Sequence, residues 1–364
     1  MTALKTCKVK KVSLLLLTLI VSSLLIACED EQKKKEKIMP AAKQGIHKEG
    51  SITFLPLSAD EKGSAEYTES YGWLDNDTII YTAKEKEIYS LYSFHISSKK
   101  KQELFSTSEI ISSASVSPDR KYILVHSSGS NKNATIRILN PEGKTIQEIS
   151  VPSTEINFSW NHYSDGKLLL ESFNDNWEHA TYLFDILEGT RVRMDVPAPF
   201  AEWSSENSLV FLDWNGEDMQ LSAPLKQYDL KEGTVEVLED RVFSFGIMGG
   251  TLFVVREAGE PGGQQEIEYA FYDRKLKKLS SFRSSAGGFD PDWIVPSFDF
   301  VAEQNAFYTF SLPDSGPQNY QLIKYDVRQG KKTMIMDDVE EAPLECSPDA
   351  NRCLYGGRLE MLIE

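Results

Sequence analysis

A pattern of about 45 residues recurs seven times along this 364-residue chain and limits its fold more than any other feature. Each copy has an aromatic or apolar lead residue, a short polar turn, and a run rich in β-branched and aromatic residues. Outside the N-terminus no stretch repeats its apolar residues with helical spacing, so a helical fold is excluded. The lead residues are Trp73, Val116, Trp160, Trp203, Gly246 or Ile247, Phe300 and Cys346.

A second pattern follows each of the first six copies: a strand that often ends in Asp, then a turn, then another strand. Its clearest form is Phe/Tyr-Asp-x-x-x-Gly, at Phe184–Gly189, Tyr228–Gly233 and Tyr325–Gly330. Asp suits such turns because it can bond its own backbone, and Gly accepts positive φ. Two hairpins per repeat make four strands, which is typical of a propeller blade. We therefore predict an all-β chain that forms a single β-propeller.

The two ends of the chain complete the predicted ring. The seventh copy supplies one hairpin and a third strand, Leu359–Ile363, but no fourth. The segment Ile52–Leu57 precedes the first copy and has no partner of its own, so we place it as the outer strand of the last blade. This gives seven four-stranded blades. Six blades are the alternative, with the repeat around Gly246 or the last repeat irregular.

The N-terminus carries the features of an export signal. Lysines at positions 5, 8, 10 and 11 precede Val12–Ala27, an uncharged, Leu-rich run of 16 residues. This order is typical of a secretory signal and is short for a membrane span. The run ends in Leu25-Ile26-Ala27-Cys28, which resembles the lipobox of bacterial lipoproteins. The resemblance implies cleavage before Cys28 and a diacylglyceryl group on its sulfur; an ordinary signal peptide or an uncleaved anchor are the alternatives.

Three segments follow from this interpretation: a lipoprotein signal peptide (1–27), a lipidated, charged tether (28–50) and the propeller (51–364). The formal net charge is −16, and removal of the signal, with four lysines and no acid, leaves −20. A protein with this negative charge repels the phosphate backbones of nucleic acids, so no nucleic-acid partner is expected. The expected location is the extracytoplasmic face of the cell membrane, where the lipid is the anchor.

Two further motifs relate the chain to known families. Ser-Pro-Asp turns at 117–119 and 347–349 resemble those of TolB-like and WD40-like propeller repeats. With the lipobox and the tether, the chain resembles the YqgU-like lipoproteins of Gram-positive bacteria over essentially its whole length. The resemblance implies a lipoprotein with six blades, against the seven counted from the residues, and it implies no chemistry.

Cys346 and Cys353 remain in the exported part once Cys7 is removed and Cys28 is acylated. They flank one tight turn, so on two antiparallel strands they could face each other within disulfide range. A disulfide and two buried thiols are both open at this point.

The sequence carries no signature of catalysis or of a metal site. It contains no Gly-x-Ser-x-Gly elbow and no His-Glu-x-x-His pair. Acid-rich turns such as Asp75–Asp77 lack the spacing of a calcium loop. We therefore expect no catalytic residue, no metal ligand and no cofactor besides the diacylglycerol on Cys28. A channel cation such as Ca²⁺, held by several blades, is the exception that sequence leaves open.

Loop lengths differ between the two faces of the predicted ring. The longest loops join second to third strands and share one face with the blade-to-blade crossovers. Trp177, Trp214 and Trp293 fall among them, so we predict that this face binds a partner, either a protein or another component of the cell envelope. The expected function is a binding or protein-interaction scaffold at the cell envelope, and not an enzyme. The alternative is a propeller hydrolase, lyase or lactonase that acts on a sugar or lactone with a channel-bound cation. The tryptophans at lead positions are expected to pack between blades instead: Trp73, Trp160 and Trp203.

Overall fold

Polar turns separate 27 β-strands in the residues that the structure, a computed structural model, describes: 50–57, 65–129, 133–214, 222–258, 266–285, 295–313 and 319–364. All of these strands lie in one unit, His47–Glu364. The first thirteen are β1 (Ile52–Phe54), β2 (Glu66–Trp73), β3 (Thr78–Glu85), β4 (Ile88–His95), β5 (Lys100–Thr107), β6 (Ile110–Val116), β7 (Ile123–Ser128), β8 (Asn133–Leu139), β9 (Thr145–Pro152), β10 (Glu155–Trp160), β11 (Lys167–Phe173), β12 (His179–Asp185) and β13 (Thr190–Met194).

The remaining strands continue the same alternation of strand and turn. They are β14 (Glu202–Ser205), β15 (Ser208–Leu212), β16 (Ala223–Asp229), β17 (Val235–Met248), β18 (Thr251–Glu257), β19 (Glu266–Tyr272), β20 (Lys278–Ser285), β21 (Phe298–Val301), β22 (Ala306–Ser311), β23 (Tyr320–Asp326), β24 (Lys331–Val339), β25 (Leu344–Cys346), β26 (Cys353–Tyr355) and β27 (Met361–Ile363). One 3₁₀ turn, Ala302–Gln304, is the helical element of the described chain.

The strands group into seven four-stranded antiparallel blades. Blades 1, 2 and 3 are β2–β5, β6–β9 and β10–β13, and blade 6 is β21–β24. Blades 4 and 5 form one seven-stranded sheet, because the 14-residue β17 is the outer strand of one and the inner strand of the other. Val242 pairs with Ala223 on one side and with Arg256 on the other, next to Arg241 at φ 53°. The repeat around Gly246 is thus irregular in its connection, although it is a full blade.

Both ends of the chain build blade 7, in the order β1-β27-β26-β25. β1 pairs antiparallel with β27, from Ile52 opposite Ile363 to Phe54 opposite Met361. Beyond the strand, Leu57 is buried between this blade and blade 1. The predicted ring closure is therefore confirmed, with a shorter strand than Ile52–Leu57.

The predicted turns have the expected hydrogen bonds. At Phe184–Gly189, the Asp185 carboxylate accepts the N–H groups of Leu187 and Glu188, and Gly189 has φ 65°. The Tyr228 and Tyr325 copies repeat this geometry. In each Ser-Pro-Asp turn the Ser hydroxyl donates to the Asp carboxylate at 2.6 Å. These local bonds fix the hairpins that join strands one to two and three to four of a blade.

Apolar side chains of adjacent blades interlock to form the core. The largest aromatic group joins blades 5 and 6, where Phe253, Phe271 and Phe307 lie with ring centroids 5.2–6.2 Å apart. In blade 7, Cys346 lies opposite Cys353 in the β25–β26 pair, and the two sulfurs are bonded.

Candidate functional site

Inner strands from all seven blades surround a central channel with a volume of about 1050 Å³. We call the residue immediately before each lead residue the channel position: Gly72, Ser115, Ser159, Glu202, Gly246, Asp299 and Glu345. The five that carry a side chain line the cavity. The turns between first and second strands surround the mouth, and we call that end the short-turn face.

Three of the channel positions are carboxylic acids, each next to the inner strand of the following blade. Glu202 Oε2 accepts the N–H of Ile247 at 3.0 Å, and Asp299 Oδ2 accepts the N–H of Cys346 at 2.7 Å. The Glu345 side chain lies against Gly72, where a Cβ would come within 2.1 Å of its Oε1. Gly72 has φ 106°, so both the space and the backbone favour glycine there. Glu202 and Asp299 thus cap the edges of neighbouring inner strands, and Glu345 packs against the next one.

Burial raises the pKa of all three channel carboxyls, because a low-polarity surrounding disfavours the charged form. The pKa of Glu345 rises to about 8, with a further contribution from the nearby Asp299 charge. Burial raises the pKa of Glu202 to about 7, against the lowering effect of the Ile247 N–H. That of Asp299 rises to about 6 through burial, although the N–H groups of Cys346 and Phe300 oppose the shift. Near neutral pH these carboxyls are therefore poised between their two protonation states.

The lead tryptophans are buried between blades, as predicted. The indole N–H of Trp73 donates to the Glu345 carbonyl at 3.0 Å, and that of Trp203 donates to the Ser159 carbonyl at 3.2 Å. Trp160 donates to the Ser115 hydroxyl at 3.1 Å. Each bond runs from one blade to the channel position of the preceding blade. These tryptophans are therefore structural and hold the channel wall in place.

An ion pair crosses the mouth of the channel. Arg120, in the first turn of blade 2, lies 3.2 Å from Glu303 in the first turn of blade 6. His162 lines the same end, and burial lowers its pKa despite the nearby Glu303 charge. His162 is thus neutral at pH 7, and the mouth has one cation, Arg120, among its described lining residues.

The opposite end, where second strands end and third strands begin, is the long-loop face, and its described residues include the loop 174–178 and the crossover from blade 3 to blade 4. Trp177 is 70% exposed and Trp214 is 51% exposed, so both stand on this face as the sequence indicates. Trp293 lies outside the described residues. Phe200, in the crossover from blade 3 to blade 4, is also exposed and stacks on the buried Phe173 at 5.3 Å.

Backbone strain accompanies two of these aromatic residues. Trp177 has φ 62° and Phe200 has φ 59°, a region that bulky side chains rarely occupy. Phe173 contacts both rings, with Trp177 edge-on at 5.9 Å. The surrounding structure thus holds two large apolar rings in water at a conformational cost of order 1–3 kcal/mol each.

Several predicted features lie outside the described residues or stay untested. Cys28, the signal and the tether precede residue 50. No group of three or more His, Cys, Asp or Glu side chains in the described ranges could hold a metal ion. Within those ranges, too, no helix is long and apolar enough to cross a bilayer.

The sequence analysis missed the three channel acids. The lead residues form the repeated apolar position, and each acid lies one position before a lead residue. Reading that column of the repeat as Gly, Ser, Ser, Glu, Gly, Asp, Glu would have shown that three acids face one axis.

A closed ring of four-stranded antiparallel blades around an axial channel defines the class of β-propeller proteins. The profile of the family described as YqgU-like 6-bladed beta propeller domain matches residues 95–356, and the chain belongs to this family. The family description counts six blades, whereas the described strands here form seven. The matched segment excludes β1 and β27, the two strands that close blade 7.

Relatives and solved structures agree with this assignment. The uncharacterized lipoprotein YqgU of Bacillus subtilis strain 168 is 27% identical over 316 residues, which cover 87% of this chain and 85% of that protein. An uncharacterized protein from Listeria monocytogenes EGD-e has a similar crystal structure, with TM-score 0.74, 23% identity, and coverage of 81% of this chain and 90% of that one.

The β-propeller domain of the Trilobed protease from Pyrococcus furiosus matches with TM-score 0.53 and 15% identity, over 80% of this chain and 90% of that one. Its open velcro topology contrasts with the strand pairing that closes blade 7 here. At identities this low, the likeness to both solved structures shows the fold alone.

Proposed function

We propose that this protein is a lipid-anchored, extracytoplasmic β-propeller that binds a protein partner at the cell envelope through its long-loop face. The anchor would be a diacylglyceryl group on Cys28. The Leu25-Ile26-Ala27-Cys28 motif supports it, and so does the lipoprotein relative in Bacillus subtilis. A disulfide between Cys346 and Cys353 suits the oxidising compartment that this location implies.

The observation that carries the proposal is the exposure of Trp177 and Trp214 on one face. Tryptophan is enriched among the residues that dominate binding energy, because it buries a large area with few rotatable bonds. Phe200 and its contact with Phe173 extend the apolar surface beside Trp177. A partner that covers these rings would remove them from water, and this favours association.

The test is capture of partners from native membranes by the full-length protein, with chemical crosslinking, for wild type and the variant Trp177→Ala/Trp214→Ala. The matched control is Leu187→Ala, since Leu187 is 65% exposed in blade 3 but belongs to a turn at the short-turn face. We expect a partner that wild type and the control capture equally and the double variant captures at least tenfold less. Equal capture by all three proteins would contradict the assignment of this face.

The enzyme alternative draws support from a different observation, the raised pKa values of three channel carboxyls. A hydrolase, lyase or lactonase that uses a channel cation would be stabilised by that ion. Thermal unfolding with Ca²⁺ and then with a chelator separates the two functions. A stoichiometric ion whose removal lowers Tm would favour the enzyme, and an unchanged Tm favours the binding protein.

A further inference from the structure

The channel is large enough for an organic ligand and is lined by more acids than bases. Its volume of about 1050 Å³ lies at the upper end of the range of ligand pockets. Its one basic residue among those described, Arg120, is already paired with Glu303. The acids along the lining are Asp119, Asp165, Glu202, Asp299, Glu303 and Glu345.

The three carboxyls at channel positions have capacity left for a ligand. One oxygen of Glu202 accepts the Ile247 N–H from the next blade, and Asp299 accepts the N–H groups of Cys346 and Phe300. Within the described structure, no Lys, Arg or His forms an ion pair with either of them or with Glu345. An unpaired buried carboxylate is unfavourable, and a cation from outside the chain would relieve this.

A buried group behind the wall gives an independent observation. Glu171 in β11 is 1% exposed, and its Oε2 accepts hydrogen bonds from the Asn157 side chain and the Phe200 N–H, both at 2.8 Å. Asn157 and Phe200 line the channel. The other oxygen, Oε1, is buried without a hydrogen-bond partner in the described structure. The Ala201 N–H also lowers the pKa of this carboxyl, so Oε1 lies beside backbone donors of the channel wall and can accept one more hydrogen bond.

The distribution of the acids selects the kind of cation. Glu202, Asp299 and Glu345 belong to blades 4, 6 and 7, and the described residues form no cluster suited to a metal ion. A cation with several charged groups along its length matches acids that are spread around a wall. An ammonium group offers three N–H donors to such carboxylates. We propose that the channel binds a small organic polyamine, with its ammonium groups held by Glu202, Asp299 and Glu345.

Binding is coupled to proton release. The raised pKa values of Glu345 and Glu202 leave part of these carboxyls protonated at pH 7. An ammonium neighbour favours the ionised form, so each affected carboxyl loses a proton to solvent while the amine keeps its own. The other titratable or charged groups along the channel are Tyr71, His162, Arg120, Glu303, Asp119 and Asp165. Burial raises the pKa of Tyr71 and lowers that of His162, and hydrogen bonds from Ser117 and Lys121 outweigh burial and lower the pKa of Asp119.

The experiment is isothermal titration of the full-length protein in detergent with spermidine, in two buffers of different ionisation enthalpy at pH 7. We expect saturable binding with release of about one proton per site. The channel variant Glu202→Gln/Asp299→Asn/Glu345→Gln should bind at least tenfold more weakly and release no proton. The matched control removes three exposed carboxylates from outer turns and leaves the same net charge: Glu142→Gln/Glu188→Gln/Glu232→Gln.

Equal weakening in the channel variant and the control would show adsorption to an acidic surface and would overturn the proposal. Absence of saturable binding at millimolar spermidine, or tighter binding of Mg²⁺ or Ca²⁺, would overturn it as well. If the triple variant does not fold by circular dichroism, the single variant Asp299→Asn takes its place, with an expected loss of about threefold or more. Phe200 lines the channel and also lies beside Trp177, but the ammonium ligands Glu202, Asp299 and Glu345 differ from the tryptophans of the long-loop face, so the two sets of variants test the two proposals separately.

Discussion

Tryptophan occurs both in the inner strands and in the long loops of this propeller, in opposite environments. Trp203 is 2% exposed and donates its indole N–H to the preceding blade, whereas Trp177 is 70% exposed and has a strained backbone. Trp203 occupies the lead position that recurs in every repeat, whereas Trp177 does not. Position in the repeat, more than residue type, therefore separates structural aromatics from those available for contact.

The acids show the same division. Burial pushes the pKa of Glu268 upward, but hydrogen bonds from Lys278, Ser281 and Arg256 outweigh it and hold the pKa at about 2. Glu345 at the channel has no such cation and its pKa is about 8. Cations of the same chain thus stabilise the charge of Glu268, whereas no Lys, Arg or His pairs with Glu345 among the described residues.

Opening the ring should destabilise the channel and the long-loop face together. It has the largest expected effect on the free energy of unfolding. Deletion of residues 50–57 removes the β1–β27 backbone hydrogen bonds and the burial of Leu57. At about 1 kcal/mol per hydrogen bond and 2 kcal/mol or more for Leu57, the free energy of unfolding should fall by about 4–6 kcal/mol. Urea unfolding measures this loss. Phe54→Ser, which changes an exposed side chain of the same strand, should cost less than about 1 kcal/mol.

Truncating one tryptophan from each region tests the comparison itself. Trp203→Ala leaves a cavity between blades 3 and 4 and should cost about 3–5 kcal/mol in the free energy of unfolding. Trp177→Ala should stay within about 0.5 kcal/mol of wild type, since its ring is exposed. Chemical denaturation of both variants measures the two losses in the free energy of unfolding. Similar losses would mean that the loop aromatics are structural.

The disulfide stabilises the channel wall beside Glu345, and the long-loop face has no counterpart. Replacing Cys346 and Cys353 by Ala opens a loop of about eight residues, and the chain-entropy account gives a loss of about 2–3 kcal/mol. Thiol titration of the unfolded, unreduced protein should find both cysteines unreactive. Two reactive thiols besides Cys7 and Cys28 would show that the bond is absent in solution.

The smallest effect is a pH dependence of opposite sign for the two kinds of acid. Below pH 4.5, Glu345 is protonated in both states. Between 4.5 and about 8 only the unfolded chain ionises, so this group lowers the free energy of unfolding as pH rises. Glu345→Gln removes that loss, so the free energy of unfolding of the variant should exceed that of wild type by about 1–2 kcal/mol between pH 5 and 8.

Glu268→Gln is the counterpart. The lowered pKa of Glu268 stabilises the fold above pH 4.5, and this contribution is lost as pH falls toward 2. The variant should therefore be less stable than wild type at pH 7, and the difference should shrink on acidification. Urea midpoints across pH 3–8 test both variants, and parallel profiles would contradict the division between channel and surface acids.

Features with a local or periodic cause were predictable from the sequence. The Asp185, Asp229 and Asp326 turns depend on residues two to four positions apart, and the seven lead residues mark the inner strands. Ring closure followed from a missing fourth strand in the last repeat and a strand without a partner near the N-terminus. The continuous β17 was not predicted, because nothing in Val235–Phe245 shows where one sheet ends and the next begins.

The channel site depends on distance in three dimensions. Asp299 affects the pKa of Glu345 across 46 positions of sequence, and Glu202 reaches Ile247 in the next blade across 45. Their burial, and hence their raised pKa values, exist only when the ring is closed. The exposed Trp177 and Trp214 were predicted from loop position, and their role in binding stays a prediction.

The pairing of β1 with β27 also sets the order of events during biosynthesis. Ile52–Phe54 leaves the ribosome first, but its partner Met361–Ile363 follows about 300 residues later. At about 5–20 residues per second, the first strand waits roughly 15–60 s for its partner. Until that partner is made, the growing chain carries an unmatched strand that is open to proteases and to pairing with other chains.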